Sequence, residues 1–131
     1  MYNFGLVGCG RISKNHLEAL EKCPDVKIVA VCDIDRQALT KVSERYHCDG
    51  YEAFKDLISR SDIDIINICT PSGLHAGMAI QAMRAGKHVI VEKPMAMSLA
   101  EADLMIKEAN LAGVKLGVVH QNRFNKPILK L

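Results

Sequence analysis

The stretch GLVGCGRIS (residues 5–13) joins an apolar run to a segment with helical spacing. The pattern G-x-G-x-x-G is filled by Gly8, Gly10 and Ser13, with serine in the third place. In a strand–turn–helix unit, the first glycine allows the tight turn, the second lets a diphosphate approach, and a small third residue lets the helix pack closely. We then expect the backbone amides of Arg11 and Ile12 to face the diphosphate. Glycines also end strands for structural reasons alone, so the motif needs support from its surroundings.

The surroundings of this turn alternate between strand-like apolar runs and helical patterns along the chain. Five runs are predicted as strands: residues 4–9, 27–32, 63–69, 88–91 and 115–119. Four segments are predicted as helices, residues 12–21, 36–46, 74–85 and 99–112, and Tyr51 is expected to lead a further short helix. Such alternation builds a parallel sheet covered by helices. The sequence therefore predicts a single α/β domain, a doubly wound parallel sheet of the Rossmann type.

The apolar spacing also predicts which helix residues face the core and where helices end. The predicted core faces are Ile12, His16, Ala19 and Leu20 in the first helix, and Leu99, Ala102, Met105, Ile106 and Ala109 in the last. Asp35 is expected to cap the second helix, and Ser98 with Glu101 forms a capping-box pattern. Gly86 and Gly113 follow helices, where a left-handed residue is favoured.

The composition limits the classes of partner. The formal net charge is only +2, and the basic residues are scattered, so neither nucleic acid nor an anionic membrane is indicated. The apolar runs are too short to span a bilayer, and the N-terminus lacks the pattern of a signal peptide. There are five cysteines without CxxC spacing, and Cys9, Cys32 and Cys69 are expected to be small buried hydrophobic residues rather than metal ligands or disulfides. We therefore expect a cytoplasmic protein that holds no metal.

An acid at the end of the second predicted strand supports the interpretation of the glycine turn as a dinucleotide site. Asp33 lies 25 positions after Gly8, close to the spacing of the acid that accepts from the ribose hydroxyls. Its charge would repel a 2′-phosphate, which predicts NAD rather than NADP, although Arg36 offers a cation for that phosphate. Asp35 fits the role of helix cap better than Asp33, which leaves Asp33 for the ribose.

Polar residues gather where the later predicted strands end, and the carboxyl ends of parallel strands are where such folds bind ligands. Thr70 and Ser72 are expected to touch the cofactor, and His75 is either a cap or packing residue or a catalyst. Glu92 and Lys93 are either solvated loop residues or groups that face the same crevice. There Lys93 could hydrogen-bond a substrate hydroxyl and share in general acid–base work. The last run delivers His120, Gln121, Asn122 and Arg123 to this rim.

The segments GLVGCGRISKNH, VCDID, ICTPSGLHA, KHVIVEKPMA and HQNRF are together similar to the N-terminal domain of the glucose–fructose oxidoreductase / inositol dehydrogenase (Gfo/Idh/MocA) family. The resemblance implies that Lys93 is a catalytic residue in contact with substrate, and that the Lys93–Pro94 bond is cis. The cofactor contacts that it implies are Gly8, Gly10, Arg11, Ile12, Asp33, Thr70, Pro71 and Glu92. We add Ser72, His75 and Gln121 as expected cofactor contacts and Arg123 as an expected substrate contact.

The resemblance also implies a longer parent enzyme. Residues 1–120 are expected to form the dinucleotide-binding domain, and residues 121–131 to start the connection to a C-terminal substrate domain. The segment HQNRF is most similar to members that act on sugar nucleotides, such as UDP-N-acetylglucosamine or UDP-N-acetylglucosaminuronate 3-dehydrogenases, with inositol and free-sugar dehydrogenases as alternatives. The parent is expected to be a homo-oligomer that transfers a hydride from a sugar carbon to nicotinamide, and this fragment alone is expected to be inactive. Two alternatives come from other classes: a non-catalytic NAD-sensing module and an S-adenosylmethionine methyltransferase.

Overall fold

Six parallel strands form one sheet in the computed structural model, which describes residues 1–119. The strands are β1 (Tyr2–Val7), β2 (Val26–Cys32), β3 (Asp49–Tyr51), β4 (Ile65–Ile68), β5 (His88–Val91) and β6 (Leu116–Val118). Their order across the sheet is β3-β2-β1-β4-β5-β6, so the strand order reverses between β1 and β4. This is the order of a doubly wound dinucleotide-binding fold, and the predicted fold class is confirmed.

Five α-helices connect the strands. They are α1 (Ser13–Glu21), α2 (Arg36–Tyr46), α3 (Phe54–Ile58), α4 (His75–Arg84) and α5 (Leu99–Ala112). A 3₁₀ turn, Ser72–Leu74, precedes α4. The five predicted strands and four longer predicted helices are all present. Where an observed end differs from the predicted one, the difference is one or two residues.

The third strand corrects one prediction. Tyr51 does not lead a helix, because it pairs with Cys32 at the end of β3 and its carbonyl accepts from the amide of Asp33 at 3.1 Å. The helix starts three residues later, at Phe54. With three residues, two of them exposed, β3 is too short and too polar to show an apolar alternation.

Two apolar layers hold the sheet, one on each face. Alternate strand residues enter opposite layers: Val7 and Ile68 pack with α3, α4 and α5, whereas Leu6 and Val31 pack with α1 and α2. The same alternation sends Asn67, between Ile66 and Ile68 of β4, to the α1 face. A polar side chain is therefore buried where the helix of the glycine turn crosses the centre of the sheet.

The buried faces of two helices differ from prediction. In α1 the buried residues are Ser13 and Leu17, while Ala19 is exposed. Because Ser13 is buried at the helix start, the buried face of α1 differs from the face that the spacing of the apolar residues indicates. In α5, Met105 and Ala109 are buried, but Leu99 and Ile106 are 86% and 50% exposed. This helix packs mainly on α4, and a single neighbouring helix covers only a narrow stripe.

The predicted helix ends are confirmed in most details. The Asp35 carboxylate accepts from the amides of Gln37 and Ala38 at the start of α2. Ser98 Oγ accepts from the amide of Glu101, while the Glu101 carboxylate accepts from the amide of Met97 rather than completing the box at Ser98. Gly86 and Gly113 both have positive φ, as predicted.

None of the helices in residues 1–119 is long and apolar enough to cross a membrane.

Candidate functional site

The candidate site lies at the carboxyl edge of the sheet, between β1 and β4. Gly8 follows β1 and has φ +93°, a conformation that glycine adopts without strain. A Cβ on Gly8 would lie 2.6 Å from the carbonyl carbon of Cys69 and 2.8 Å from the amide of Thr70. Glycine is therefore required here both for the turn and because the ends of β1 and β4 nearly touch.

The second glycine is explained by what lies outside the protein. A Cβ on Gly10 would meet no atom within 4 Å among the described residues, so packing does not require glycine at this position. Helix α1 begins here without a side-chain cap, and the amides of Arg11 and Ile12 have no backbone acceptor within residues 1–119. Free amides at a helix start, with open space in front of them, suit a diphosphate. The turn therefore fits a dinucleotide.

Asp33 follows β2 and is held by two backbone amides. Its Oδ2 accepts from the amide of Cys9 at 2.7 Å, and its Oδ1 accepts from the amide of Asp35 at 2.8 Å. Each carboxylate oxygen can accept a further hydrogen bond, and Asp33 is only partly buried, so ribose hydroxyls can still be bound. The structure assigns the helix cap to Asp35, as predicted.

Arg36, the residue that could accept a 2′-phosphate, is already paired. Its Nε lies 2.5 Å from Glu52 Oε1, at the start of the segment after β3. Both side chains are exposed, so this pair is weak by itself. Glu52 nevertheless adds a second negative charge near the end of β2, and together with Asp33 it favours NAD over NADP.

The ends of β4 and β5 are joined through His75. This histidine is 1% exposed, its Nε2 lies 2.7 Å from the carbonyl oxygen of Thr70, and its Nδ1 lies 2.8 Å from the carbonyl oxygen of Pro94. Carbonyl oxygens only accept, so the ring donates to both only when both nitrogens carry hydrogen, and a neutral ring donates to one. Between the two open alternatives, the geometry favours packing over catalysis, because both ring nitrogens face backbone.

The remaining residues of the β4 end lie at the surface of the crevice. Thr70 and Ser72 are partly buried and Pro71 is exposed. The Thr70 hydroxyl donates to Met78 Sδ at 3.5 Å. These residues are thus brought beside the glycine turn, on the strand that adjoins β1.

Glu92 and Lys93 end β5 with opposite exposure. Glu92 is 5% exposed, its amide continues the ladder to the Ile68 carbonyl, and its carboxylate lies 2.5 Å from His16 Nε2. Lys93 is exposed at the rim, and the Lys93–Pro94 bond is cis, as the family resemblance implied. The Glu92 carboxylate, which we expect to contact the cofactor, is already hydrogen-bonded to His16 of α1.

Sequence reasoning missed the partners of Glu92. His16 was expected to face the core as an apolar-stripe residue, and Asn67 was not singled out. Asn67 Nδ2 lies 2.9 Å from His16 Nδ1, so the three side chains form one buried polar cluster. The available signal was a histidine on the first turn of the helix that follows the glycine turn.

The buried cysteines near the site are unreactive by their surroundings. Burial, reinforced by the charge of Asp33, raises the pKa of Cys9 to about 12. Burial, reinforced by the charge of Glu92, raises the pKa of Cys69 to about 12. Cys9, Cys32 and Cys69 are free and buried, as predicted. Their thiols stay protonated at neutral pH, which excludes them as nucleophiles.

Two other predicted contacts, Gln121 and Arg123, lie outside the described residues, as do His120 and Asn122.

A glycine turn, an uncapped helix start, an acid after β2 and a lysine after β5 converge on the point where the strand order reverses. Together they define a candidate dinucleotide-binding domain. The family model GFO_IDH_MocA, described as an oxidoreductase family with an NAD-binding Rossmann fold, matches residues 2–120. The chain belongs to this family, which confirms the resemblance and makes NAD its cofactor.

Three known proteins that are similar to the chain are each much longer. The WlbA dehydrogenase from Chromobacterium violaceum, solved with NADH and UDP-GlcNAcA, is 43% identical with a TM-score of 0.95, covering 98% of this chain and 38% of that one. Myo-inositol 2-dehydrogenase of Thermotoga maritima is 32% identical over 97% of this chain and 38% of its own length. The uncharacterized oxidoreductase YrbE of Bacillus subtilis is 33% identical, with the same coverage. The chain thus spans about two fifths of the length of each of these three proteins.

Proposed function

We propose that this chain supplies the cofactor site and the reactive lysine of a dehydrogenase that oxidises a sugar nucleotide of the UDP-N-acetylglucosaminuronic acid type. The observation that carries the proposal is the position of Lys93, exposed at the end of β5 on the same edge of the sheet as the glycine turn. The similarity to the WlbA dehydrogenase, solved with UDP-GlcNAcA, supports the substrate class.

The reaction assigns a separate task to each group. Bound NAD would supply the hydride acceptor for the carbon that carries the reacting hydroxyl, and with loss of the hydroxyl proton to a base this oxidation would give a ketone, NADH and a proton. The amides of Arg11 and Ile12 would hold the diphosphate, and Asp33 would hold the adenosine ribose. Lys93 hydrogen-bonds the reacting hydroxyl and takes part in its proton transfer.

A downstream domain is part of the proposal. Residues 1–120 form the cofactor domain, and residues 121–131 lead into a substrate domain that completes the site, with Gln121 contacting the cofactor and Arg123 the substrate. The WlbA dehydrogenase and the Thermotoga enzyme both extend well beyond the region that matches this chain. We propose that the complete protein works as a homo-oligomer.

The cofactor half is tested on the 131-residue chain by titration with NADH, followed by fluorescence or calorimetry. We expect saturable binding that Asp33→Ala weakens and that NADPH does not match. A chain that binds neither nucleotide would contradict this half of the proposal.

The substrate half is tested on the full-length protein with a panel of UDP-GlcNAcA, UDP-GlcNAc, myo-inositol and glucose, with NADH production as the readout. UDP-GlcNAcA is expected to have the highest kcat/KM. Preference for myo-inositol would support the second candidate, which the Thermotoga myo-inositol 2-dehydrogenase favours. NAD binding without turnover of any panel member, in wild type and Lys93→Met alike, would support a non-catalytic NAD-sensing module.

A further inference from the structure

The buried cluster of His16, Asn67 and Glu92 connects three elements that are far apart in sequence. His16 lies on the first turn of α1, Asn67 is in the middle of β4, and Glu92 follows β5. Asn67 and Glu92 are 2% and 5% exposed, and the His16 side chain is 11% exposed. No other polar contact in the described residues ties the helix of the glycine turn to the end of β5.

The hydrogen bonds of the cluster have a definite direction. Cys69 Sγ lies 3.7 Å from Asn67 Oδ1, which leaves the Asn67 amide nitrogen to donate to His16 Nδ1. A ring that accepts at Nδ1 carries its hydrogen on Nε2, and that hydrogen points at Glu92 Oε1. Glu92 Oε2 in turn accepts from the backbone amide of Lys93 at 3.2 Å. The carboxylate therefore receives one hydrogen bond from α1 and one from the residue that carries the reactive amine.

We propose that His16 is a positioning residue, which fixes the Lys93 backbone relative to the glycine turn through Glu92. This inference rests on the proposed function, since it gives His16 a role in the reaction of Lys93. Glycine turn and lysine hold two different reactants, and their separation decides whether the reacting carbon and the nicotinamide meet in a productive geometry. The Lys93 residue is exposed, so its position depends on the hydrogen bonds at the end of β5, from the Glu92 amide to the Ile68 carbonyl and from the Lys93 amide to Glu92 Oε2.

The ordinary alternative is that His16 only satisfies a buried carboxylate. A buried carboxylate that loses a donor is destabilised, so removal of the imidazole would lower stability under either view. The two views differ in what a substitution does to kcat when the fold is kept. They also differ in whether a side chain of the right reach restores the rate.

Glutamine and asparagine separate these views at position 16. The amide nitrogen of glutamine reaches about as far as His Nε2, so His16→Gln keeps a donor for Glu92. The amide of asparagine reaches only about as far as His Nδ1, so His16→Asn keeps a polar group beside Asn67 but loses the hydrogen bond to the Glu92 carboxylate. His47→Asn is the matched control, because His47 is exposed at the end of α2 with φ 51°, where asparagine is tolerated.

The four proteins are compared at full length for thermal stability, KM for NAD and kcat with the preferred substrate. We expect His16→Asn to lower kcat about 10- to 100-fold, the loss typical of a misplaced reactive group, while KM for NAD changes less than about threefold. His16→Gln is expected to recover most of that loss, and His47→Asn is expected to match wild type. Equal loss in both His16 variants, or a His16→Asn enzyme with wild-type kcat, would overturn the proposal.

A second readout does not depend on activity. In ¹⁵N-labelled chain of residues 1–131, the amide signal of Lys93 is expected to shift in His16→Asn and to stay near wild type in His16→Gln. An unmoved Lys93 signal in His16→Asn overturns the link through Glu92, whatever the rates. Full turnover by Lys93→Met in the full-length enzyme would contradict the role of Lys93 in the proposed function. A shifted Lys93 amide in His16→Asn would then show a contact without a catalytic consequence, which also overturns the positioning role of His16.

Discussion

The carboxylate of Asp33 accepts a hydrogen bond from the backbone amide of Cys9 at 2.7 Å. The acid that is expected to bind the ribose therefore also holds the middle of the glycine turn. Cofactor recognition by Asp33 and the shape of the diphosphate turn are consequently coupled in one side chain. Substitutions of Asp33 are expected to affect both.

Asp33→Asn and Asp33→Ala separate the two roles. Asparagine keeps an oxygen that can accept from the Cys9 amide, whereas alanine leaves that amide without its side-chain partner. We expect Asp33→Asn to weaken NADH binding about tenfold, or about 1.4 kcal/mol, and Asp33→Ala to weaken it further. Calorimetric titration of the purified chain measures both, and equal affinity in the two variants would remove the Cys9 contact from the argument.

The Arg36–Glu52 pair predicts a graded change in nucleotide preference. Glu52→Gln removes a charge that faces Arg36, which frees the guanidinium for a 2′-phosphate. We expect the ratio of NADPH to NADH affinity to rise severalfold in Glu52→Gln and more in the double variant with Asp33→Ser. Parallel titrations with the two nucleotides give the ratio, and Glu44→Gln, an exposed substitution on α2, is the control.

The two glycines of the turn should fail in different ways when changed to alanine. Gly8→Ala places a Cβ against the backbone of Cys69 at a positive φ, and we expect a loss of about 2 kcal/mol or more in unfolding free energy. Gly10→Ala meets no atom of residues 1–119 within 4 Å, so its stability is expected to stay near wild type while NADH binding falls. Denaturant unfolding and NADH titration are measured on each variant.

Gly77→Ala is the control for this pair. It is the third residue of α4, its Cβ would meet nothing within 4 Å among residues 1–119, and its φ is not positive. Alanine there should raise the unfolding free energy by about 1 kcal/mol through helix propensity. A Gly8→Ala variant as stable as wild type would contradict the close approach of β1 and β4.

His75 is expected to contribute to stability through the two carbonyls that it reaches. His75→Leu removes the ring nitrogens that face the part-buried carbonyls of Thr70 and Pro94, and the lost hydrogen bonding is expected to lower the unfolding free energy by about 1–3 kcal/mol. His75→Gln keeps one amide group that can donate, so it is expected to be intermediate in Tm. If His75→Leu and His75→Gln unfold at the same temperature as wild type, the ring does not join the two strand ends.

The buried thiols predict a loss of stability in alkaline solution. In the folded chain, burial raises the pKa of Cys9 and Cys69 from 9.0 to about 12. The unfolded chain releases these protons above pH 9 and the folded chain does not, so the contribution is complete below pH 9 and is lost as the pH rises towards 12. We expect the unfolding free energy to fall more steeply between pH 8 and 10.5 in wild type than in the Cys9→Ala/Cys69→Ala variant.

Thiol labelling provides an independent check. Cys23 is exposed, whereas Cys9, Cys32 and Cys69 are buried and Cys48 is partly buried. Iodoacetamide at pH 8 is therefore expected to label Cys23 first, as identified by peptide mass spectrometry. Early labelling of Cys9 or Cys69 would contradict their burial and protonation.

Residues whose role depends on local geometry were predictable from the sequence. The turn at Gly8, the cap at Asp35 and the position of Asp33 follow from spacing within two consecutive strand–turn–helix units, and the order of units gives the sheet. Lys93 and its cis bond followed from the resemblance, since a strand that ends in Glu-Lys-Pro has many possible structures. Tyr51 was misplaced because β3 is held by its neighbour β2 rather than by its own pattern.

The contacts between distant elements were not predictable in this way. His16 and Glu92 are 76 residues apart. Asn67 lies between them only because side chains alternate between the two faces along β4 and because α1 packs on the face that Asn67 enters. The exposure of Leu99 and Ile106 likewise depends on which neighbours α5 has, and not on its periodicity. Sequence spacing defines a face, whereas the packing of the whole sheet decides what covers it.

The strand order also has a consequence for how the chain folds. β1 is synthesised before the five other strands of the sheet but lies in its centre, where Asn3 is hydrogen-bonded to Asp64, 61 residues later. The chain must close a loop of that length before the strands can pair, and the entropic cost of this closure slows the folding of parallel sheets. Until β4 leaves the ribosome, the edge of β1 that pairs with β4 remains unpaired, and the apolar β1 is incompletely covered. Chaperone binding and premature proteolysis of the nascent polypeptide are therefore expected to concentrate on the interval before residue 65 emerges.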